Sequence, residues 1–432
     1  MFLFPILQLK GYPIHKAKRE LSKIQAMGGA PFNSWQEDKK WEMARHHYQN
    51  NSVYRSLFKN GLPGNWNSLP IITKSDLQQE FSSLITQPYK RREVYVGNTS
   101  GSSGTPFFYA KDKHAHAMTY ALIANRYAWH GLSLSQKQGR FYGIPLDESS
   151  KFRELLKDKM ANRVRFPVFD LSDQAFEKIQ HSIKSGRIKY LYGYTSALVA
   201  FARYVKARQV VLKSQCPLLS ACIVTSEMCV EEDKMLLEQT FGVPIINEYG
   251  ASELDIIAFT AANGDWKLSR ENLFVEILDD QGQAVPNGQE GRMVITSLHN
   301  RAFPMVRYDI GDLGALDENK AGVLKKLSGR SNDLIHLPSG KKAAGLTFYY
   351  ISRRILESGG SIKEFIIRQT ALNRFEFDIK ADKPMEPKLV TELHKSMSQY
   401  LENDLELQLH YVTDISRPAG QKIKHFYVEI RD

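Results

Sequence analysis

An α/β fold with a largely parallel sheet in its main part follows from three features of this 432-residue sequence. Short β-branched and apolar runs alternate with helical stretches from His114 to Ile246, a pattern that puts helices on the faces of a parallel sheet. After Thr260 the texture changes to strand and turn, which predicts an attached β subdomain. The remainder mixes both types over roughly a hundred residues, a normal size for a small α+β domain. The expected division is 1–330 for a large multi-layer domain and 331–432 for the small one, with the boundary near Gly329 to Asp333.

Taken in order, Gly11 to about Asn60 reads as an amphipathic helical cap, with Trp35, Trp41, Met43, Ala44 and Tyr48 spaced to share a face. Leu69 to Leu77 is an extended entry in which Thr73 or Ser75 is placed to cap a short helix. His114–His130 reads as a helix. Strands are expected at Arg140–Ile144, Arg163–Phe169, Ile188–Tyr192, Leu218–Val224 and Val243–Ile246, with helices at Asp173–Lys184, Ser196–Arg208 and Val230–Phe241 between them. Leu273–Leu278, a turn at Asp279–Gly282 and Gly291–Ser297 follow. The last part predicts strands at Ile362–Gln369, Phe375–Ala381 and Glu406–Val412, and helices at Leu346–Glu357 and Pro387–Asn403.

Composition narrows the class. With 42% apolar and 24% charged residues the chain is globular. Its three cysteines have neither the spacing nor the neighbouring histidines of a zinc site, and a reducing cytoplasmic setting is expected. The apolar opening run is too short to span a bilayer, so no transmembrane segment is expected. The net charge of +11 suits an anionic small ligand, because no basic and aromatic repeat or finger spacing points to nucleic acid.

One loop stands out. Thr99, Ser100, Gly101, Ser102, Ser103, Gly104 and Thr105 follow the short run Val94-Tyr95-Val96, and they combine hydroxyl donors with glycines that let amides turn toward one point. That composition suits phosphate, although neither the Walker nor the dinucleotide pattern is present, and a flexible Ser/Gly linker is the alternative. Further on, Tyr249-Gly250-Ala251-Ser252-Glu253 carries a carboxylate suited to Mg²⁺ beside phosphates. In Arg307-Tyr308-Asp309-Ile310-Gly311-Asp312, Asp309 has the chemistry to accept two ribose hydroxyls. Gly329-Arg330-Ser331-Asn332-Asp333 places a cation at the domain boundary, where phosphate or an ion pair would meet it.

This ordered set, with Leu69-Pro70-x-x-Thr73-Lys74-x-Asp76, Gly193-Tyr194-Thr195-Ser196 and a late lysine, resembles the acyl-adenylate-forming ligase superfamily, in particular its phenylacetate-CoA ligase and CapK-type branch, over nearly the whole chain. The resemblance implies a large adenylation domain, a small mobile C-terminal domain hinged at Asn332 or Asp333, and an AMP-forming ligase with ATP, Mg²⁺ and coenzyme A as cofactors. It implies that Thr99 to Thr105 wrap the ATP phosphates, Glu253 holds Mg²⁺, Tyr249 stacks near adenine, and Ser226, Glu227, Glu248, Gly250 and Ser252 lie around the nucleotide. Asp309 would bind ribose and Arg330 phosphate or ribose. The adenylation lysine falls on Lys422 or Lys424, with Lys422 favoured. The acyl pocket is expected near Tyr142, Tyr194, Val224 and Ala251. The implied reaction joins a small-molecule carboxylic acid to AMP and passes the acyl group to coenzyme A, or alternatively to an amine or sugar during surface-polysaccharide or secondary-metabolite biosynthesis. A non-catalytic scaffold, a monomer and a homodimer all remain open from sequence.

Overall fold

The computed structural model describes residues 3–77, 79–98, 108–144, 148–328, 334–344, 347–348, 351, 362–381, 383–413, 415 and 426–430. Four helices begin the chain: α1 (Leu3–Leu9), α2 (Ile14–Gln25), α3 (Gly29–Asn50) and α4 (Ser52–Ser56). Ile14, Ala17, Leu21 and Ile24 recur at helical spacing on α2 and are all buried. On α3, Met43 and Ala44 are buried and Trp41 and Tyr48 pack on the same cluster, but Trp35 leaves that face, its ring lying 6.3 Å from that of His299. After the short α5 (Phe81–Leu84), β1 (Tyr95–Asn98) and β2 (Phe108–Lys111) form an antiparallel pair whose connecting residues are 99–107. The helix expected after Leu69 is a turn instead. Asp76 reaches back to accept from the Thr73 amide at 2.7 Å and hydroxyl at 2.6 Å, bonds that close a local turn.

The alternation predicts the central layer well. α6 (Lys113–Ala128), β3 (Gln138–Phe141), α7 (Glu148–Met160), β4 (Arg163–Phe166), α8 (Asp173–Ser185), β5 (Tyr190–Tyr194), α9 (Thr195–Ala207), α10 (Leu212–Gln215), β6 (Ala221–Thr225), α11 (Glu231–Phe241), β7 (Ile245–Ala251), β8 (Asp255–Thr260) and β9 (Trp266–Leu268) follow in turn. The seven strands order as β4-β3-β5-β6-β7-β8-β9. β3 to β7 pair in parallel, while β8 and β9 add an antiparallel edge that strand periodicity alone did not announce. One sheet face, with Tyr190, Ile223 and Ile246, packs on Met118 and Leu122 of α6 and Leu21 of α2. The other, with Phe141, Leu191 and Val224, packs on Phe201 of α9 and Leu237 and Phe241 of α11.

β10 (Leu273–Leu278), β11 (Gly291–Ser297), β12 (Tyr308–Leu316) and β13 (Leu324–Ser328) form the antiparallel β subdomain in that order. Gly282 closes the expected turn with φ +76°, a left-handed angle that favours glycine. Beyond it come β14 (Leu334–His336) paired with β15 (Lys342–Ala344), and a second four-stranded sheet, β18-β17-β16-β19. That sheet comprises β16 (Ile362–Ala371), β17 (Arg374–Ala381), β18 (Glu406–Tyr411) and β19 (Phe426–Val428), with α12 (Pro387–Tyr400) between β17 and β18. The Tyr400 ring meets Phe169 of the first part edge-on at 4.8 Å. The helix expected at Leu346–Glu357 lies largely outside the described residues. Among the described residues, no helix is long and apolar enough to cross a membrane.

Arg307, 1% exposed, ties the entry segment to the β subdomain. Its Nη1 donates to the carbonyls of Asn67 at 3.0 Å and Leu69 at 2.6 Å, and Nη2 pairs with Glu276 at 3.3 Å. Ile72 then lies beside β12, its amide donating to Arg307 O at 2.9 Å and its carbonyl accepting from the Asp309 amide at 2.8 Å. Replacing Arg307 leaves Glu276 and these carbonyls buried without a partner, so Arg307→Ala is expected to lose about 3–5 kcal/mol in urea unfolding.

Candidate active site

The expected phosphate loop, residues 99–105, lies outside the described residues, but both of its stems are placed. Their position is held from several sides. Lys111, 3% exposed at the end of β2, donates to Ser252 O at 3.1 Å and forms an ion pair with Asp255, the residue that closes the β7–β8 hairpin. Asn300 Nδ2 donates to Ala110 O at 2.9 Å. Asp112 caps α6 by accepting from the amides of His114 at 2.8 Å and Ala115 at 3.0 Å, and its other oxygen accepts from the Arg301 amide at 2.8 Å. Gly97 of β1 lies so close to the Tyr109 ring that a Cβ there would come within 2.4 Å of it.

The β7–β8 hairpin presents most of the other expected residues. β7 runs past Ile246 to Ala251, so Tyr249, Gly250 and Ala251 lie in a strand, and Ser252 and Glu253 lie in the tight turn after it. Glu253 is 7% exposed and its carboxylate accepts from the Tyr308 hydroxyl at 3.3 Å. Among the described residues no cation pairs with it. A buried carboxylate with one neutral donor is a fitting ligand for a hard divalent cation. Tyr249 donates to Asp312 at 2.8 Å, with the Trp266 ring centroid 6.0 Å from its own.

Asp309 is engaged elsewhere. Its carboxylate accepts from Arg292 at 3.0 Å and from the Gly311 amide at 2.7 Å. Asp312 is therefore the aspartate that the geometry places beside Tyr249. Sequence reading passed over it because the two candidates are three positions apart in one motif, and only the contact across 63 positions separates them.

At the carboxyl ends of β3, β5 and β6, Tyr142 and Tyr194 lie ring to ring at 4.2 Å, and the Tyr142 hydroxyl is 3.1 Å from that of Ser226. Val224 is wholly buried in the same apolar cluster as Tyr142 and Tyr194. Glu227 turns inward, accepting from the Ser196 amide at 2.7 Å and hydroxyl at 3.0 Å, and so caps α9 instead of facing a ligand. Burial pushes its carboxyl up to about 7 against the two Ser196 bonds that favour the charged form. Burial likewise raises Glu248, whose carboxylate accepts from Tyr192 at 2.8 Å and Thr225 at 3.2 Å. Arg330, Asn332, Asp333, Lys422 and Lys424 lie outside the described residues. At the junction of α2, α6 and the segment after β11, Glu20, His114 and His299 also gather with their ligand atoms within 4.8 Å, the shortest contact being Glu20 to His114 at 3.1 Å.

Known proteins resemble this chain in sequence and fold. The chain is 22% identical to the protein CapK of Staphylococcus aureus over 317 residues, 69% of this chain and 68% of that one. It is 32% identical to a phenylacetate-coenzyme A ligase of Pseudomonas putida over 124 residues, a match that spans 26% of this chain and 28% of that enzyme. No family model matches the sequence. A 2-hydroxyisobutyryl-CoA ligase, solved with its acyl-AMP and coenzyme A in the thioesterification state, superposes with a TM-score of 0.59 at 15% identity, covering 94% of this chain and 91% of that one. The fold is that of the acyl-adenylate-forming ligases. Within that class, the sequence relationship runs to phenylacetate-CoA ligase and CapK.

The Glu227 carboxyl has a signed consequence. Because its folded value lies above the usual carboxylate value of 4.5, the native state keeps a proton that the unfolded chain releases between those two pH values. Its contribution is present at low pH and is lost as pH rises through about 7. Relative to Glu227→Gln, the wild type is expected to lose about 3 kcal/mol of unfolding free energy across that window, measured by urea titration at a series of pH values.

Proposed function

We propose that this chain is an AMP-forming carboxylate ligase that activates a small carboxylic acid with ATP and passes the acyl group to coenzyme A. The observation that carries the reading is the convergence of the phosphate-loop stems, Glu253 and the Tyr249–Asp312 pair, drawn from four separate parts of the sequence to neighbouring positions around the β7–β8 hairpin.

In this reading the hydroxyls and amides of Thr99 to Thr105 take the terminal phosphates, and Tyr249 lies against adenine. Asp312 accepts from the ribose hydroxyls, and the nearby Asp309 supports β12 through Arg292. Glu253 is the residue that would hold Mg²⁺, which supplies charge neutralisation to the phosphates. The acid's carboxylate oxygen attacks the α-phosphorus, the bond to the bridging oxygen breaks and pyrophosphate leaves. Both reactants are anions, so the fixed donors lower the barrier by holding them together and matching the charge that develops in line. Residues 331–432 form the small domain in this proposal, turning about Asn332 or Asp333 so that Lys422 first faces the phosphates and then gives way to the thiol. The thiol attacks the acyl carbon, AMP departs and a thioester remains.

Pyrophosphate release measured with ATP, Mg²⁺ and a panel of carboxylic acids tests this. Acid-dependent release is expected, falling roughly 10²- to 10³-fold in Glu253→Gln and in Lys422→Ala, with Lys424→Ala close to wild type. Asp312→Asn is expected to raise KM for ATP by roughly tenfold while Asp309→Asn changes it little. Product formed with coenzyme A and not with amines identifies the acceptor. Failure of the wild type to bind ATP in calorimetry would overturn the reading.

A further inference from the structure

Two histidines and one glutamate converge where α2, the first turn of α6 and the segment after β11 meet, and one oxygen of the glutamate faces each ring. Glu20 Oε2 lies 3.1 Å from His114 Nε2, and Glu20 Oε1 lies 3.7 Å from His299 Nδ1. Ligand atoms of all three side chains fall within 4.8 Å of one another. Tetrahedral zinc with bonds of about 2.1 Å separates its ligand atoms by about 3.4 Å, and the two contacts fall on either side of that value.

The His299 ring decides between a metal site and a plain ion pair. Its Nε2 is 2.9 Å from the Glu271 carbonyl, which only accepts, so Nε2 carries the hydrogen. In the neutral ring Nδ1 is then a lone pair, and it is turned toward a carboxylate. At 3.7 Å the contact is also too long for a hydrogen bond. A Glu20–His114 ion pair accounts for the 3.1 Å contact and leaves this one unexplained, whereas a cation between the three groups accounts for both. Ligating histidines characteristically give their other ring hydrogen to a backbone carbonyl, which fixes the ring. Glu271 has that part here, and its own side chain is held by Arg126 at 2.6 Å and Gln25 at 2.7 Å. His114 Nδ1 is buried without a partner among the described residues whichever nitrogen carries its hydrogen, so it favours neither arrangement.

Each ligand sits on a fixed element. Asp112 accepts from the His114 amide at 2.8 Å, and on either side of His299 the Leu298 amide donates to Asn272 O at 2.9 Å and Asn300 Nδ2 to Ala110 O at 2.9 Å. Ala17 and Leu21, flanking Glu20 on α2, share a buried cluster with Met118 and Leu122 of α6. Lys39 of α3 also acts on Glu20 and His299, with its Nζ bonded to Glu42 at 2.9 Å. That neighbouring charge weakens a purely electrostatic site and leaves the selection to the imidazoles, which suit zinc and its neighbours over magnesium or calcium. The side chains of Glu20 and His114 are 33% and 27% exposed, which gives a cation a route in. We propose that Glu20, His114 and His299 bind Zn²⁺ or a related first-row cation, with water in the fourth position. The bound ion fastens α2 to the start of α6 and to the β11–β12 connection. The site uses none of the nucleotide-binding residues and does not depend on the adenylation reading.

The test titrates the full chain, freed of metal by chelation, with Zn²⁺ in competition with a chromophoric chelator. Wild type, Glu20→Gln, His114→Gln and Glu253→Gln are compared. One equivalent is expected to bind the wild type and Glu253→Gln. Affinity is expected to fall at least about 100-fold in Glu20→Gln and His114→Gln, beyond the loss typical of an outer partner. Zn²⁺ is expected to raise the wild-type Tm by a few degrees, with no such rise from equal Mg²⁺ or in the two ligand variants. X-ray absorption of the zinc-loaded wild type is expected to show two imidazoles with oxygen ligands and no sulfur, a reading that requires no variant to fold. Absence of zinc binding in the wild type would overturn the proposal, as would binding unchanged in both Glu20→Gln and His114→Gln. Sulfur in the coordination shell would overturn it by placing the metal at a cysteine. A loss in Glu253→Gln as large as in Glu20→Gln would do so by placing it at the nucleotide site.

Discussion

The candidate site depends on one buried ion pair. Lys111 ends the second stem of the phosphate-loop hairpin, Asp255 begins the strand after Glu253, and their contact fixes the distance between the loop and the carboxylate. Both side chains are nearly inaccessible, 4% and 9% exposed, so the pair exists at a desolvation cost and stabilises little on balance. Its value lies in geometry. A hydroxyl-rich loop can serve phosphate only if its ends are held, and here Lys111, Asn300 and the doubly used Asp112 hold the second stem while strand pairing carries the first.

Around that clamp the protein handles its acidic groups in different ways. Glu227 lies at the start of α9 and takes two donors from Ser196, Glu248 shares donors from Tyr192 and Thr225, and Asp309 is paired with Arg292. Among the described residues Glu253 has the Tyr308 hydroxyl as its donor and no cation.

Much of the fold was legible because periodicity and burial agree in the parallel layer. The apolar runs around Leu191, Ile223 and Ile245 are buried on both faces, and α9 and α11 lie between them where the alternation put them. Legibility stopped where a contact between distant residues decides the outcome. The Leu69–Leu77 entry reads as extended with Thr73 or Ser75 capping a short helix; it is extended where Ile72 lies beside β12, but beyond Thr73 it closes into a turn with the Asp76 return bond. Asp309 and Asp312 are chemically alike, and only the reach of Tyr249 distinguishes them. Lys111 belongs to no motif at all, yet it joins two of them.

The reaction class turns on which oxygen migrates. With a carboxylic acid labelled with ¹⁸O in its carboxylate, turnover by the wild type with ATP, Mg²⁺ and coenzyme A can be followed by mass spectrometry of the products. Attack of the carboxylate on the α-phosphorus and later cleavage at the acyl carbon leave one labelled oxygen in AMP and none in pyrophosphate, which is the result the account predicts. Label appearing in inorganic phosphate, accompanied by ADP, would show attack at the terminal phosphorus and contradict it.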